Sequence, residues 1–169
     1  MKRLTFLLSL VCTLVMFTNN GTVFANPPKT DPYFEENSRR VGYKTVKEAV
    51  KEFEEKCNCT VSLPTMLPDI PITHEFGAFY EKNELLEIRF VNRKMRGNIL
   101  KIDIRAEKLN FEGKEYTLQD GTKGIYIENS IFNILVFEKN NLQYAIAIGK
   151  KASNIETPKT LIDIANSIE

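Results

Sequence analysis

Alternation of apolar and polar residues with a period of two is the feature that most limits what this chain can fold into. It begins near Ile72 and recurs in short runs separated by turn-forming residues. Apolar side chains take every second position at Leu86, Ile88 and Phe90, at Leu100, Ile102 and Ile104, and at Leu142, Tyr144, Ile146 and Ile148. Such alternation is typical of antiparallel strands with one buried face. Residues 131–137 are apolar at nearly every position, which predicts a central strand covered on both faces.

A helical pattern precedes these strands. Its apolar stripe at helical spacing consists of Val46, Ala49, Val50 and Phe53. Thr45 and Glu48 form a capping box, in which each side chain satisfies a free backbone N–H at a helix start. We therefore predict a helix over about Val46 to Lys56, followed by a short strand start at residues 61–63.

A second helical pattern closes the chain. Thr157 is suited to the N-cap and Pro158 to the first helical position, and the apolar stripe consists of Leu161, Ile164, Ala165 and Ile168. The predicted fold class is α+β, with an antiparallel meander sheet of six or seven strands and an N-terminal and a C-terminal helix packed on it.

The first residues have the plan of a secretory signal peptide. Lys2 and Arg3 precede an apolar run over residues 4–17, and a small residue, Ala25, ends the segment. We predict a signal peptide over residues 1–25, cleaved after Ala25, and a protein that is secreted or associated with the cell envelope. An uncleaved anchor is the alternative, although the run falls short of the roughly 20 apolar residues of a membrane span. A lipoprotein site at Cys12 fits less well, because Cys12 lies inside the run.

Proline content divides the rest of the chain. Pro27, Pro28 and Pro32 interrupt regular structure, so residues 26–43 are predicted to be a flexible tether. Residues 44–169 then form a single α+β domain, with no transmembrane span after cleavage. The formal net charge is only +1, which argues against a nucleic-acid partner, since such partners require a strong basic excess.

Motifs that carry catalytic chemistry are absent from the sequence. It contains neither a Gly-x-Ser-x-Gly elbow nor a His-Glu-x-x-His helix nor a glycine loop for phosphate. A structural zinc ion requires four ligands, and the candidate ligands in this chain are Cys57, Cys59 and its single histidine, His74. We therefore predict no catalytic residues, no cofactor and no metal, and a protein that is not an enzyme.

Cys57 and Cys59 are the most unusual pair of residues. Outside the cytoplasm two nearby cysteines suggest a disulfide, and we predict that they bridge each other. Two free thiols, an intermolecular bridge and a metal or redox role remain alternatives. A redox role is disfavoured because Cys57 follows the C-terminal end of the predicted helix, where the helix dipole opposes a thiolate.

Arg93, Lys94 and Arg96 cluster at a predicted hairpin tip. Like charges on an exposed loop commonly serve solubility alone. The functional alternative is contact with an anionic surface, such as a wall polymer or lipid headgroups.

Four short segments carry a family resemblance. They are Leu63–Pro68, Phe111–Glu115, Leu135–Tyr144 and Leu161–Ile168. These segments resemble the "lPtyLP", "vnGkk", "ltWekdgl.Y" and "elikiAesi" motifs of the domain-of-unknown-function family 4367. The chain departs from the family at Phe137, where Trp is usual, and at Asp69-Ile70, which replaces "eGy". The resemblance spans about residues 46–169 and implies a secreted or membrane-attached protein of a Gram-positive bacterium, without catalytic residues to transfer.

These observations predict a secreted, non-enzymatic binding or interaction module. Its partner is not identified by the sequence; a cell-wall or envelope protein or an anionic polymer is the candidate. The alternative function is a carrier or sensor of an apolar ligand, held in a pocket between a curved sheet and the helices.

Overall fold

A computed structural model describes residues 32–94, 99–152, 155 and 157–169, so the predicted signal peptide and its cleavage site lie outside the described residues. Within these residues the helices are α1 (Pro32–Arg40), α2 (Val46–Cys57) and α3 (Lys159–Asn166). The strands are β1 (His74–Tyr80), β2 (Leu85–Val91), β3 (Ile99–Arg105), β4 (Lys114–Thr117), β5 (Lys123–Glu128), β6 (Phe132–Lys139) and β7 (Leu142–Gly149).

The strands form one open sheet in the order β1-β2-β3-β7-β6-β5-β4. Every pairing is antiparallel, which confirms the predicted α+β class with helices at both ends of the chain. The order differs from that of a plain meander at one point, because β3 pairs with β7 rather than with β4. Residues 106–113, which we call the crossover, therefore carry the chain across the sheet from β3 to the far edge.

Helices α2 and α3 cover one face of the sheet, the helix face. The alternating apolar residues of the sequence point to this face, and the side chains with no exposed surface include Leu86, Ile88, Leu100, Ile102, Ile104, Leu135, Tyr144, Ile146, Leu161 and Ile164. Each buried aliphatic side chain contributes about 2 kcal/mol by leaving water. The opposite side of the sheet is the open face, and no helix of the described residues lies over its centre.

Helix α2 begins at Val46 as predicted. The Thr45 hydroxyl accepts a hydrogen bond from the Glu48 N–H at 3.2 Å, and the Glu48 carboxylate accepts one from the Thr45 N–H at 3.0 Å. The predicted capping box is therefore confirmed. The helix ends at Cys57, one residue beyond the predicted end, because Asn58 adopts a left-handed conformation with φ 50°.

The tether predicted over residues 26–43 is wrong over Pro32–Arg40, because these residues form helix α1. Pro32 opens this helix, a position where its missing N–H costs nothing. The Phe34 ring packs edge-to-face on the His74 ring at 4.8 Å between centroids. The Tyr43 hydroxyl donates to Glu87 at 2.6 Å. The domain therefore includes this segment.

Three local predictions also need correction. Residues 61–63 form no strand, since the Val61 N–H donates to the Glu54 side chain instead of to a neighbouring strand. Helix α3 begins at Lys159, and the Thr157 hydroxyl accepts from Asn133 rather than capping the helix. The strand predicted over residues 131–137 is an inner strand as expected, since β6 lies between β7 and β5, but it is not covered on both faces, because Ile134 and Val136 line an open groove on one of them.

Among the described residues, no helix combines the length and the apolar character needed to cross a membrane.

Candidate functional site: a groove on the open face

Two alanines on the central strand create a groove on the open face. Ala145 and Ala147 of β7 point to this face, and their neighbours on both sides carry longer side chains. On β6 the neighbours are Ile134 and Val136, which with Ile127 of β5 form an aliphatic wall. The resulting cavity has a volume of about 420 Å³, within the range that holds small ligands.

The crossover forms the roof of the groove, and one glutamine holds it in place. Gln143 is buried on the open face. Its Nε2 donates to the Leu109 carbonyl at 2.8 Å, and its Oε1 accepts from the Leu109 N–H at 3.1 Å. Leu109 and Phe111 are each 39% exposed and line the groove. Both side chains therefore offer apolar surface to a ligand as well as to solvent.

The other wall of the groove is charged. It consists of Lys101, Asp103 and Arg105 of β3, which stand beside the alanine floor. Across the next pairing, Glu87 lies opposite Asp103 and Arg89 opposite Lys101. Like charges thus face each other directly, and the ion pairs run diagonally. Lys101 Nζ lies 3.3 Å from Glu87 Oε2 and 2.7 Å from Asp103 Oδ2.

This arrangement shifts the pKa values of the two carboxyl groups in opposite directions. Burial raises the pKa of Asp103, the charge of Glu87 adds to the shift, and the ion pair with Lys101 opposes it. Burial would also raise the pKa of Glu87, but hydrogen bonds from Tyr43 and Arg89 hold it below its ordinary value. Burial and the bond to Glu87 raise the pKa of Tyr43. The surroundings therefore favour the charged form of Glu87 and the neutral form of Asp103.

The predicted basic cluster is only partly described. Arg96 lies outside the described residues. Arg93 and Lys94 follow β2 and are exposed, and the Arg93 guanidinium lies 5.8 Å from the centroid of the Phe34 ring.

Cys57 and Cys59 are joined by a disulfide, with their Cα atoms 5.2 Å apart. Both residues are partly buried against the edge of the core. Cys57 ends α2 and Cys59 follows it, and neither residue lines the groove. Among the described residues, no three His, Cys, Asp or Glu side chains are grouped so that they could hold a metal ion.

The fold and the site define an α+β protein with one helix-covered sheet face and one grooved face. Comparison of the chain with protein-family models, with curated proteins and with solved structures finds no match. Sequence reasoning missed the groove residues Ala145, Ala147 and Gln143. The sequence did contain a signal for the groove: the outward positions of β7 include small residues, whereas its inward positions are bulky.

Proposed function

We propose that the protein is a non-enzymatic binding module that acts outside the cytoplasm and holds a small amphipathic molecule in the groove of its open face. The predicted leader and the family resemblance support an extracytoplasmic role in a Gram-positive bacterium. The class of ligand is inferred from the contrast between the two walls of one groove, since one wall is aliphatic and the other is charged.

The aliphatic wall suits an apolar body. Ile127, Ile134 and Val136 face the cavity, and the alanine floor leaves room beside them. Because burial of apolar area contributes about 25 cal/mol per Å², this side supplies most of the affinity. Leu109 and Phe111 would cover the same part of the ligand from above.

The charged wall suits a polar head. Lys101 lies between two carboxylates, while Arg105 donates from its Nη1 to the Asn83 carbonyl at 3.2 Å. A polar or anionic group at the groove would meet Lys101 and Arg105 beside its apolar body. Such fixed polar groups orient a ligand in an otherwise apolar pocket.

The alternative function, a carrier of an apolar ligand, was expected to hold its ligand between the sheet and the helices. The open face is a better place for such a ligand. The space between sheet and helices is filled by fully buried side chains such as Leu100 and Leu161. A ligand site there would require the core to open. The open face provides a cavity without any such movement.

The test is a titration with 8-anilinonaphthalene-1-sulfonate, an aromatic anion whose fluorescence rises in apolar sites. The wild-type chain should bind one equivalent. Ala145→Leu fills the groove floor and should abolish this binding, whereas Thr117→Leu, which adds the same side chain to an exposed position of β4, should not. Near-equal binding by the wild type and Ala145→Leu would refute the groove as the site. Absence of binding by all three chains would also refute it.

A further inference from the structure

We propose that one end of the sheet docks on an anionic lipid bilayer. We call it the basic end and define it by Arg93, Lys94, Ile131, Lys150 and Lys151. The sequence separates these residues widely, and the strand order brings them together.

The strand register places the three loops of the basic end side by side. Leu100 of β3 pairs with Ile148 of β7, and Phe132 of β6 pairs with Gly149 of β7. The residues after β2, before β6 and after β7 therefore lie at the same end of the sheet. Because neighbouring strands lie about 4.8 Å apart, the loops of β2 and β6 are separated by roughly 15 Å.

The charge of this end is positive. Its described basic residues are Arg93, Lys94, Lys150 and Lys151, all exposed. In the described part of the chain, Glu128 forms an ion pair with one of them, its Oε2 lying 3.6 Å from Lys150 Nζ. The excess of basic residues complements a phosphate-rich surface.

Ile131 is a fixed apolar tip within this charge. Ile131 is 63% exposed. The Asn129 Oδ1 accepts hydrogen bonds from the N–H groups of Ile131 and Phe132 at 2.8 and 2.7 Å. The Ile131 carbonyl accepts from the Lys150 N–H at 2.8 Å. The turn is thus held so that the isoleucine points away from the domain.

A cleft beside Ile131 combines the two kinds of surface. It has a volume of about 370 Å³, and its lining includes Ile99, Phe132, Lys150 and Lys151. Lysines at the rim and apolar side chains inside match a phosphate headgroup and the first carbons of its acyl chains. A purely polar polymer would use the lysines but would gain nothing from the isoleucine.

The chain enters the domain at this same end. Phe34, near the start of α1, contacts His74 at the start of β1 and lies beneath Arg93. Residues 26–31 can span at most about 20 Å. While the predicted leader is in a membrane, the basic end therefore stays close to that membrane.

The test is flotation with vesicles, using the chain from Asn26 onward, which keeps every described contact. It should float with vesicles of phosphatidylcholine containing 30% phosphatidylglycerol, and less so as salt is raised. It should not float with phosphatidylcholine alone. Lys150→Gln with Lys151→Gln should weaken binding about thirty-fold, since each basic residue contributes about five-fold at such a surface.

Matched controls come from α2 and from Val41, the residue after α1. Lys47→Gln with Lys51→Gln removes the same charge from the exposed side of α2 and should change binding less than about three-fold. The sequence contains no Trp, so Ile131→Trp provides a single fluorescent reporter. Its emission should shift to the blue on anionic vesicles and be quenched by brominated acyl chains. Val41→Trp, at a residue that is 66% exposed elsewhere, should show neither effect.

Three results would overturn the proposal: no flotation at low salt, equal loss in the α2 control, or an Ile131→Trp reporter that stays in water while the chain binds. The last result, together with binding to immobilised polyphosphate, would identify an anionic polymer as the partner. The outcome is independent of the groove, because Ala145→Leu leaves the basic end intact and should float like the wild type.

Discussion

Replacing Gly77 by alanine should displace helix α2 from the sheet. A Cβ atom at Gly77 would lie 2.6 Å from the Ala49 Cβ, 3.0 Å from the Val46 Cα and 3.2 Å from the Thr45 carbonyl oxygen. Two of these three atoms belong to the backbone. A change of side-chain rotamer therefore cannot relieve the contact, and the helix itself must move.

The size of the effect follows from this movement. Ordinary contact between carbon atoms begins at about 3.5 Å, so α2 must shift by roughly 1 Å. The shift opens a gap beneath Ala49 and Phe53, which are almost completely buried, and such a gap removes about a quarter to a half of the dispersion energy there. Since overpacking typically costs about 1–3 kcal/mol, we expect Gly77→Ala to lower the free energy of unfolding by about 2 kcal/mol.

The assay is urea unfolding followed by circular dichroism, arranged as a double-mutant cycle with Ala49→Gly. Ala49→Gly alone should cost about 1 kcal/mol through helix propensity. In the Gly77→Ala chain it also removes the nearest clashing atom, so its cost should fall by at least about 0.5 kcal/mol. Gly124→Ala is the matched control, since its new Cβ would mainly meet the movable end of Leu135 at 3.0 Å.

Two results would refute this reasoning. A Gly77→Ala chain whose stability lies within about 0.5 kcal/mol of the wild type would mean that α2 does not rest on Gly77. Strict additivity of Gly77→Ala and Ala49→Gly would mean that these positions are not in contact.

Three further substitutions test other contacts. Thr45→Ala removes the cap of α2 and should lower the free energy of unfolding by about 1 kcal/mol; an unchanged urea midpoint would contradict this. Gln143→Ala removes both hydrogen bonds to Leu109 and should speed exchange of the Leu109 amide hydrogen, measured by NMR, while unchanged protection would show that the crossover is held by other contacts. Burial raises the pKa of Asp103 in the folded chain above its value in the unfolded chain. The stability that follows from this shift is fully present below the pKa of the unfolded chain and is lost as the pH rises through the pKa of the folded chain. Asp103→Asn should therefore be more stable than the wild type at pH 7 and equal to it below about pH 3.5. Urea unfolding at both pH values checks this, and a less stable variant at pH 7 would mean that the pair with Lys101 outweighs burial.

Local patterns predicted the elements of this fold well. The capping box at Thr45 located α2 to within one residue, and the alternating runs located β2, β3 and β7. These signals are local because capping and sheet alternation depend on residues a few positions apart. Helix α1 was missed because three prolines suggested a tether, whereas Pro32 only begins the helix.

Strand order and the groove could not be predicted in the same way. Alternation shows that a strand has a buried face, but it does not show which strand lies next to it. The groove depends on that order, because Ala145 and Ala147 make a floor only when β7 lies between β3 and β6. The basic hairpin tip was predicted from the sequence, while its neighbours Lys150 and Ile131 come from other loops.

The crossover has a consequence for how the chain folds. Strands β1–β3 and strands β4–β7 are each built from neighbouring hairpins, and the pairing of β3 with β7 joins residues 38 to 48 positions apart. Contacts of high sequence separation carry the larger loop-closure entropy, so the two halves should form early and their junction late. Lys101 pairs with Ala147 and Asp103 with Ala145 across this junction. The groove is therefore complete only in the fully folded chain, and a ligand held there would fasten the two halves together.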